Sequence, residues 1–196
     1  MKTGIYGGTF SPVHNGHVRA AELFLENLSL DRLVIMPAGI PPHKEVREQV
    51  DGFVRYEMCQ AAFLPLSDKV EVSDFEIKKE GKSYTIDTVS HFEDDELWLL
   101  CGEDMLLCLD KWYRAEELMR RCSFAVLART HGSGETIYRY AEKLRSEYGA
   151  QIEIIDGEPF EVSSTEIREK VRCGTDVSAL VPTEVLKIIN DRDLYR

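Results

Sequence analysis

The chain has 196 residues, 43% hydrophobic and 30% charged, which is enough for one sizeable core in proportions ordinary for a soluble globular protein. A net charge of −11 excludes a general nucleic-acid binder, which presents a broad basic surface, so any phosphate ligand must meet a local cluster of cations. No apolar run reaches the roughly 18 residues a membrane helix requires, and neither a signal peptide nor a membrane partner is expected. Five cysteines (Cys59, Cys101, Cys108, Cys122, Cys173) without a CysxxCys pair suggest neither a disulfide framework nor a zinc knuckle, and read as reduced thiols of a cytoplasmic protein.

The first element is an apolar strand over Thr3–Tyr6, broken by Gly7 and Gly8, after which helix-forming sequence resumes at Gly16-His17 and shows apolar spacing at Ala21, Leu23, Phe24 and Leu28. Strand, glycine turn and helix form the layout of a phosphate site, because glycines admit an anion close to the backbone and the free amides of a helix start carry partial positive charge. His14 and His17, three positions apart, can both donate to phosphoryl oxygens of one ligand. Metal ligation by the pair lacks a third ligand in the turn, so no metal site is assigned to the protein.

A second strand over Asp31–Pro37 makes a strand–helix–strand unit with a right-handed crossover and hence a parallel pair. Apolar runs at Leu97–Cys101, Phe124–Ala128 and Ile152–Ile155 alternate with amphipathic segments at Tyr56–Leu64, Ala115–Arg121 and Ile137–Tyr148. This alternation predicts an α/β fold, a Rossmann-like, open and mostly parallel sheet with helices on both faces, in a single domain over residues 1–196, with ligands at the carboxyl ends of the strands. The acidic run Glu93–Glu96 reads as a solvated turn, Trp98 as core, and Val181–Leu186 as part of a last helix with Pro182 near its first turn.

Candidate ligand positions follow from these elements. The proline-stiffened loop Pro37–Lys44 leaves the second strand, which makes Lys44 a candidate phosphate contact, with Arg47 and Arg55 nearby; each can equally be a solvated side chain. In Gly81-Lys82-Ser83-Tyr84-Thr85, Ser83 or Thr85 can cap the helix that follows, and its free amides can hold a second anion such as a substrate carboxylate. The strand Leu97–Cys101 delivers Gly102, Glu103 and Asp104 at its carboxyl end, suited to ribose hydroxyls, and Trp112 offers either a stacking face or a core side chain. Ser163-Ser164-Thr165 opens another helix with Arg168 about one turn in, suited to a polyphosphate or else an arginine paired with Glu161 or Glu169.

The motif Gly7-Gly8-Thr9-Phe10-Ser11-Pro12 followed by His14 and His17 resembles the signature of the HisxGlyHis nucleotidyltransferases, many of which carry Asp or Asn where this chain has Ser11. With Pro41-Pro42-His43-Lys44, Ser83-Tyr84-Thr85, Gly102-Glu103-Asp104 ahead of Trp112, and Ser163-Ser164-Thr165 ahead of Arg168, the order along the chain resembles the bacterial nicotinate-nucleotide adenylyltransferase family. That resemblance implies transfer of adenylate from ATP to nicotinate mononucleotide in NAD biosynthesis, with Mg²⁺ carried on the triphosphate. It places His14 and His17 on the ATP phosphates and Lys44 and Arg168 on the phosphate tail. Gly7, Gly8, Thr9 and Phe10 form the phosphate turn, with Ser163, Ser164 and Thr165 beside it. Gly102 and Asp104 lie by the adenosine; Ser83, Tyr84 and Thr85 receive the nicotinate carboxylate, and Trp112 stacks on the pyridine ring. Arg129 is a weaker candidate. Nicotinamide mononucleotide or phosphopantetheine as acceptor, or a silent nucleotide-binding regulator, are the rival readings; the sequence is compatible with a homo-oligomer.

Overall fold

The computed structural model describes residues 1–39, 50–92, 95–128, 134–157 and 161–196. Six strands, β1 (Lys2–Gly8), β2 (Arg32–Pro37), β3 (Val70–Val72), β4 (Glu96–Gly102), β5 (Ser123–Ala128) and β6 (Ile152–Asp156), form one sheet in the order β3-β2-β1-β4-β5-β6. Every neighbouring pair is parallel, with Gly4 opposite Leu33 on one side and Trp98 on the other. The chain therefore steps outward from β1 to β3, returns to β4 beside β1, and steps outward the other way. The crevice at that reversal, at the carboxyl ends of β1 and β4, is where such sheets hold ligands.

The period of two along each strand divides the apolar side chains between two layers. Val34, Met36, Leu97, Leu99, Cys101, Phe124 and Val126 point to one face, and Leu33, Ile35, Leu100, Ala125 and Ile155 to the other. The first face is covered by α4 (Thr85–Ser90), α5 (Glu103–Leu106), α6 (Ala115–Arg121) and α7 (Gly134–Tyr148) through Ile86, Val89, Leu106, Leu118, Ile137 and Leu144. The second is covered by α1 (Asn15–Asn27), α2 (Gly52–Phe63), α8 (Ser164–Arg172) and α9 (Thr183–Asp191) through Phe24, Met58, Phe63, Ile167 and Val185. A one-turn helix, α3 (Phe75–Lys78), follows β3.

The expected strands and the two-sided helical cover are present, with three differences. β3 has only three residues and carries no periodic signal, so it is legible only as the edge strand that pairs with β2. Gly7 and Gly8 do not break β1; both stay in register, opposite Met36 and Pro37. Asp95 is not a solvated turn residue. It bonds the N-terminal ammonium at 3.2 Å, Arg32 at 2.8 Å and the Thr3 hydroxyl at 2.9 Å, which ties β1, β2 and the start of β4 together, while residues 93 and 94 lie outside the described residues. Trp98 is half-buried against the α1 side, with its Nε1–H donated to Glu96.

Packing beneath β1 leaves no room for a side chain at position 4. A Cβ on Gly4 would stand 2.6 Å from Leu30 Cδ1 and 2.8 Å from Phe24 Cε1, both in the buried α1 layer. Gly4→Ala is expected to cost about 1–3 kcal/mol by overpacking, read as a lower urea midpoint. An unchanged midpoint would show that Leu30 and Phe24 yield freely.

Candidate active site

Two cavities open at the carboxyl ends of the strands. The larger, about 760 Å³, is lined by the β1–α1 turn, His14, His17, Gly102, Glu103 and the start of α8; the smaller, about 200 Å³, by Gly7, Gly8, Glu76, Ser83, Thr85, Thr88 and Trp112. Thr9, Leu100 and Cys101 belong to the walls of both, so the cavities meet at the end of the central strand pair.

The turn leading into α1 fixes the two imidazoles against each other. His14 is the N-cap: its Nδ1 accepts the His17 backbone N–H at 3.2 Å, and His17 Nδ1 accepts the His14 backbone N–H at 3.2 Å, a capping box made from two histidines. The rings stack with centroids 3.5 Å apart and 17° between planes, and the Phe10 ring meets His17 edge-on at 5.0 Å. Both Nδ1 atoms are acceptors, so each neutral ring carries its proton on Nε2 and offers that N–H as its remaining donor. Burial pulls His14 down to about 4 and holds His17 well below its usual range, with the neighbouring His14 adding to the effect. Both rings line the larger cavity, each with one neutral donor left over. Phe10 adopts φ 50°, a left-handed conformation costly for an aromatic residue, and its ring is 1% exposed among Tyr6, Phe63 and His17.

Across the larger cavity, Ser163 caps α8 by accepting the Glu166 N–H, and Ser164 donates to the Pro12 carbonyl at 3.0 Å, docking this helix start on the β1–α1 turn. Arg168 donates to the Ser11 carbonyl at 2.8 Å and to the Thr165 hydroxyl at 3.0 Å, not to Glu161 or Glu169. The Ser11 hydroxyl in turn meets the Tyr195 hydroxyl at 3.1 Å, from 184 positions away. Two oriented helix starts and a guanidinium thus supply the local positive potential that a net charge of −11 requires for anion binding.

In the smaller cavity, Glu76 Oε1 accepts the Thr88 hydroxyl at 2.6 Å, and burial pushes its carboxyl above the usual carboxylate range against the pull of Thr88, Ser83 and Lys79. Ser83 Oγ is buried beside that carboxyl and makes no hydrogen bond of normal distance and angle among the described residues. Gly39 passes so close that a Cβ would stand 2.0 Å from the Glu76 carbonyl oxygen, which only glycine permits. Trp112, half-buried, both lines this cavity and packs on the core, so its two sequence readings merge.

Of the residues expected from sequence, His14, His17, Ser163, Ser164, Thr165 and Arg168 gather around the larger cavity with Gly102, while Gly7, Gly8, Ser83, Thr85 and Trp112 gather around the smaller. Several expectations are corrected. Asp104 is exposed and outside both walls; the buried Glu103, which opens α5 directly after β4, lines the larger cavity. Neither Ser83 nor Thr85 caps α4, whose N-cap is Tyr84 with no side-chain bond; Tyr84 packs on Tyr113 at 4.6 Å. Phe10 contributes its ring to the core and does not line either cavity. Arg55 is buried and lines neither cavity, whereas Lys44, Arg47 and Arg129 lie outside the described residues. Sequence reasoning missed Glu76 and Thr88, for which the only signal was an acidic residue in the segment preceding the Ser83 turn. Among the described residues no group of three or more His, Cys, Asp or Glu side chains could hold a metal ion.

A parallel sheet whose central switch point carries a histidine-capped helix start opposite a second capped helix with an arginine defines a nucleotidyl-transfer protein. The cytidylyltransferase-like family model matches residues 5–170. A Clostridium tetani protein named "Probable nicotinate-nucleotide adenylyltransferase" is 38% identical over 100% of this chain and 99% of its own length. A Clostridium kluyveri protein of the same name is 37% identical over 100% of both. Among solved structures, a Plasmodium falciparum nicotinic acid mononucleotide adenylyltransferase complexed with NaAD matches with a TM-score of 0.76 at 15% identity, over 100% of this chain and 98% of that one, a likeness of fold. The chain belongs to the cytidylyltransferase-like family and, within it, to the nicotinate-nucleotide adenylyltransferases.

The histidine pair gives a direct prediction for the free protein. The unfolded chain takes up protons at its histidines near pH 6.5 and the folded one only near 4 at His14, so the stability held by the neutral pair is full above about pH 6.5 and is lost as pH falls towards 4. Imidazole NMR shifts of His14 and His17 should stay constant from about pH 5.5 to 8 and report the Nε2–H tautomer; a midpoint at or above 6 for either ring would contradict the capping geometry.

Proposed function

We propose that the protein catalyses adenylyl transfer from ATP to nicotinate mononucleotide, releasing pyrophosphate and forming nicotinate adenine dinucleotide, a step of NAD biosynthesis, and that residues 1–196 act as one domain. The observation that carries the mechanism is the pair of Nε2–H donors held at the side of a cavity that joins a second, smaller one at Thr9. The names of its full-length relatives supply the acceptor.

In this reading ATP occupies the larger cavity as its Mg²⁺ complex, the metal entering with the substrate. Gly102 and Glu103 lie by the adenosine. The amides at the start of α8 and Arg168 hold the phosphate tail; Arg168 uses two of its donors on Ser11 and Thr165 and has others to offer. Lys44 is assigned to the same tail on resemblance alone. The nicotinate ring enters the smaller cavity against Trp112, with its carboxylate towards the Ser83 hydroxyl and Thr85.

The acceptor phosphate is already an anionic nucleophile at neutral pH, so no general base is needed. Its oxygen attacks the α-phosphorus in line as the bond to the β-phosphate oxygen breaks, and pyrophosphate leaves with the electron pair. His14 and His17 donate to the phosphoryl oxygens as negative charge builds on them. Because the Nδ1 bonds already fix both rings, little reorganisation is needed at that moment. The unpaired cysteines suit a reducing compartment, which is what supports a cytoplasmic enzyme.

The decisive assay is pyrophosphate release from Mg-ATP with nicotinate mononucleotide, nicotinamide mononucleotide and phosphopantetheine in parallel. Preference for the nicotinate acid and loss of activity with EDTA are expected; preference for another acceptor would reassign the substrate, and silence with all three would favour a nucleotide-binding regulator. His17→Ala should lower kcat by at least about a hundredfold while ATP binding weakens only modestly, since its donor acts mainly on developing charge. Near-normal turnover would remove His17 from the mechanism.

A further inference from the structure

Among the described residues, Arg55 is the most deeply buried cation that the transfer chemistry leaves unused: it is 2% exposed in the interior of the α1 side. Its guanidinium donates to three backbone carbonyls from three different segments. Nη1 reaches Thr9 at 2.8 Å, just after β1; Nη2 reaches Gly39 at 3.4 Å, just after β2; and Nε reaches Val50 at 3.1 Å, just ahead of α2. The backbone N–H of Arg55 is itself bonded to the Asp51 carbonyl, so the fork is anchored in the first turn of α2. Burial draws its pKa down, yet a guanidinium remains charged at neutral pH.

The carbonyl at Thr9 is the informative one. Thr9 belongs to the walls of both cavities, and the bond made in the proposed reaction must form where the two cavities meet. The next residue, Phe10, holds a left-handed backbone, and the carbonyl of Ser11, two residues on, is held by Arg168. The turn is thus gripped by one arginine on each side, Arg168 beside the cavity and Arg55 behind it. A planar fork with five donors can hold three carbonyls in fixed relation, whereas a lysine ammonium at the end of a flexible stem cannot span the same three positions.

We propose that Arg55 is a positioning residue for the transfer step: by locking the Thr9 carbonyl to those of Gly39 and Val50, it fixes the junction of the two cavities and so sets the in-line approach of acceptor phosphate to the α-phosphorus. It touches neither substrate. Among the described residues, the side chains assigned to ATP and the acceptor ring sit on α1, α8, the end of β4 with α5, the Ser83 turn and Trp112, and none of them bonds Arg55, so Arg55 acts chiefly on the rate. A displacement of about 1 Å between reacting groups costs on the order of a hundredfold in rate, which gives the scale of the effect.

The test is steady-state kinetics of full-length Arg55→Lys, and of Arg55→Ala with and without millimolar methylguanidinium, after circular dichroism has shown folded protein. The inference rests on the transfer reading, so the assay uses whichever acceptor the wild-type protein turns over. For Arg55→Lys, kcat should fall about 10- to 100-fold with both KM values within about threefold of wild type, because only the in-line geometry is relaxed. Methylguanidinium should restore part of the Arg55→Ala kcat in a saturable manner, and ethylammonium should not. Unchanged kcat in Arg55→Lys would overturn the proposal, as would a change confined to either KM, which marks a binding contact. An unfolded Arg55→Lys would also overturn it, since a variant of equal charge and similar length would then assign Arg55 to stability alone. Turnover by wild type with a different acceptor would correct the substrate assignment and leave the test of Arg55 intact; silence with every acceptor would remove both.

Discussion

The reciprocal cap on α1 is the constraint from which the site follows. A helix start leaves backbone amides without partners, and here two of them are satisfied by the ring nitrogens of His14 and His17. That one device ends the β1 turn, starts the helix, fixes both tautomers and aims both remaining N–H groups. It also explains why burial suits the pair: an imidazolium would have to give up an Nδ1 acceptor, and desolvation already disfavours the charge. The two remaining donors are thus neutral and set in place before any ligand arrives, which is the condition under which hydrogen bonds contribute most to developing charge.

Around that cap the sheet provides a frame that cannot easily shift. β1 is central, hydrogen-bonded on both sides, with Gly4 packed directly on Phe24 and Leu30. The turn after it is gripped from the carbonyl side by Arg55 and Arg168 and from the side chain of Ser11 by Tyr195. The Ser11–Tyr195 hydroxyl pair ties the turn to the segment after α9 without adding negative charge beside Arg168.

Electrostatics explains how an acidic protein handles two anionic substrates. Some carboxylates are offset by ion pairs such as Arg32–Asp95 and Lys143–Asp110. At the crevice the positive potential comes from oriented amides and guanidinium groups, and falls off over roughly a Debye length of 8–10 Å in physiological salt. Glu103, Glu161 and Glu166 line the larger cavity and Glu76 the smaller, where burial raises its carboxyl pKa above the usual range.

The sequence alone determined the class of fold and the chemistry of the opening turn. Alternating apolar runs dictate a two-faced parallel sheet, and a strand, glycines and two histidines three apart dictate a helix start aimed at phosphate; these signals are local, carried by residues close together in the chain. The tertiary structure decided what depends on distant segments meeting. β3 is a strand only because β2 offers it an edge, Glu103 and not Asp104 lines the cavity where α5 opens after β4, and Glu76 reaches Thr88 only once α3 packs against α4. Arg55 shows the limit most plainly. In the sequence it is one more basic residue after a proline-rich loop, and only the packing of α2 under the strand ends turns it inward onto three carbonyls. Local periodicity reports which face a residue takes; which partner it meets there is set by the packing of the whole chain.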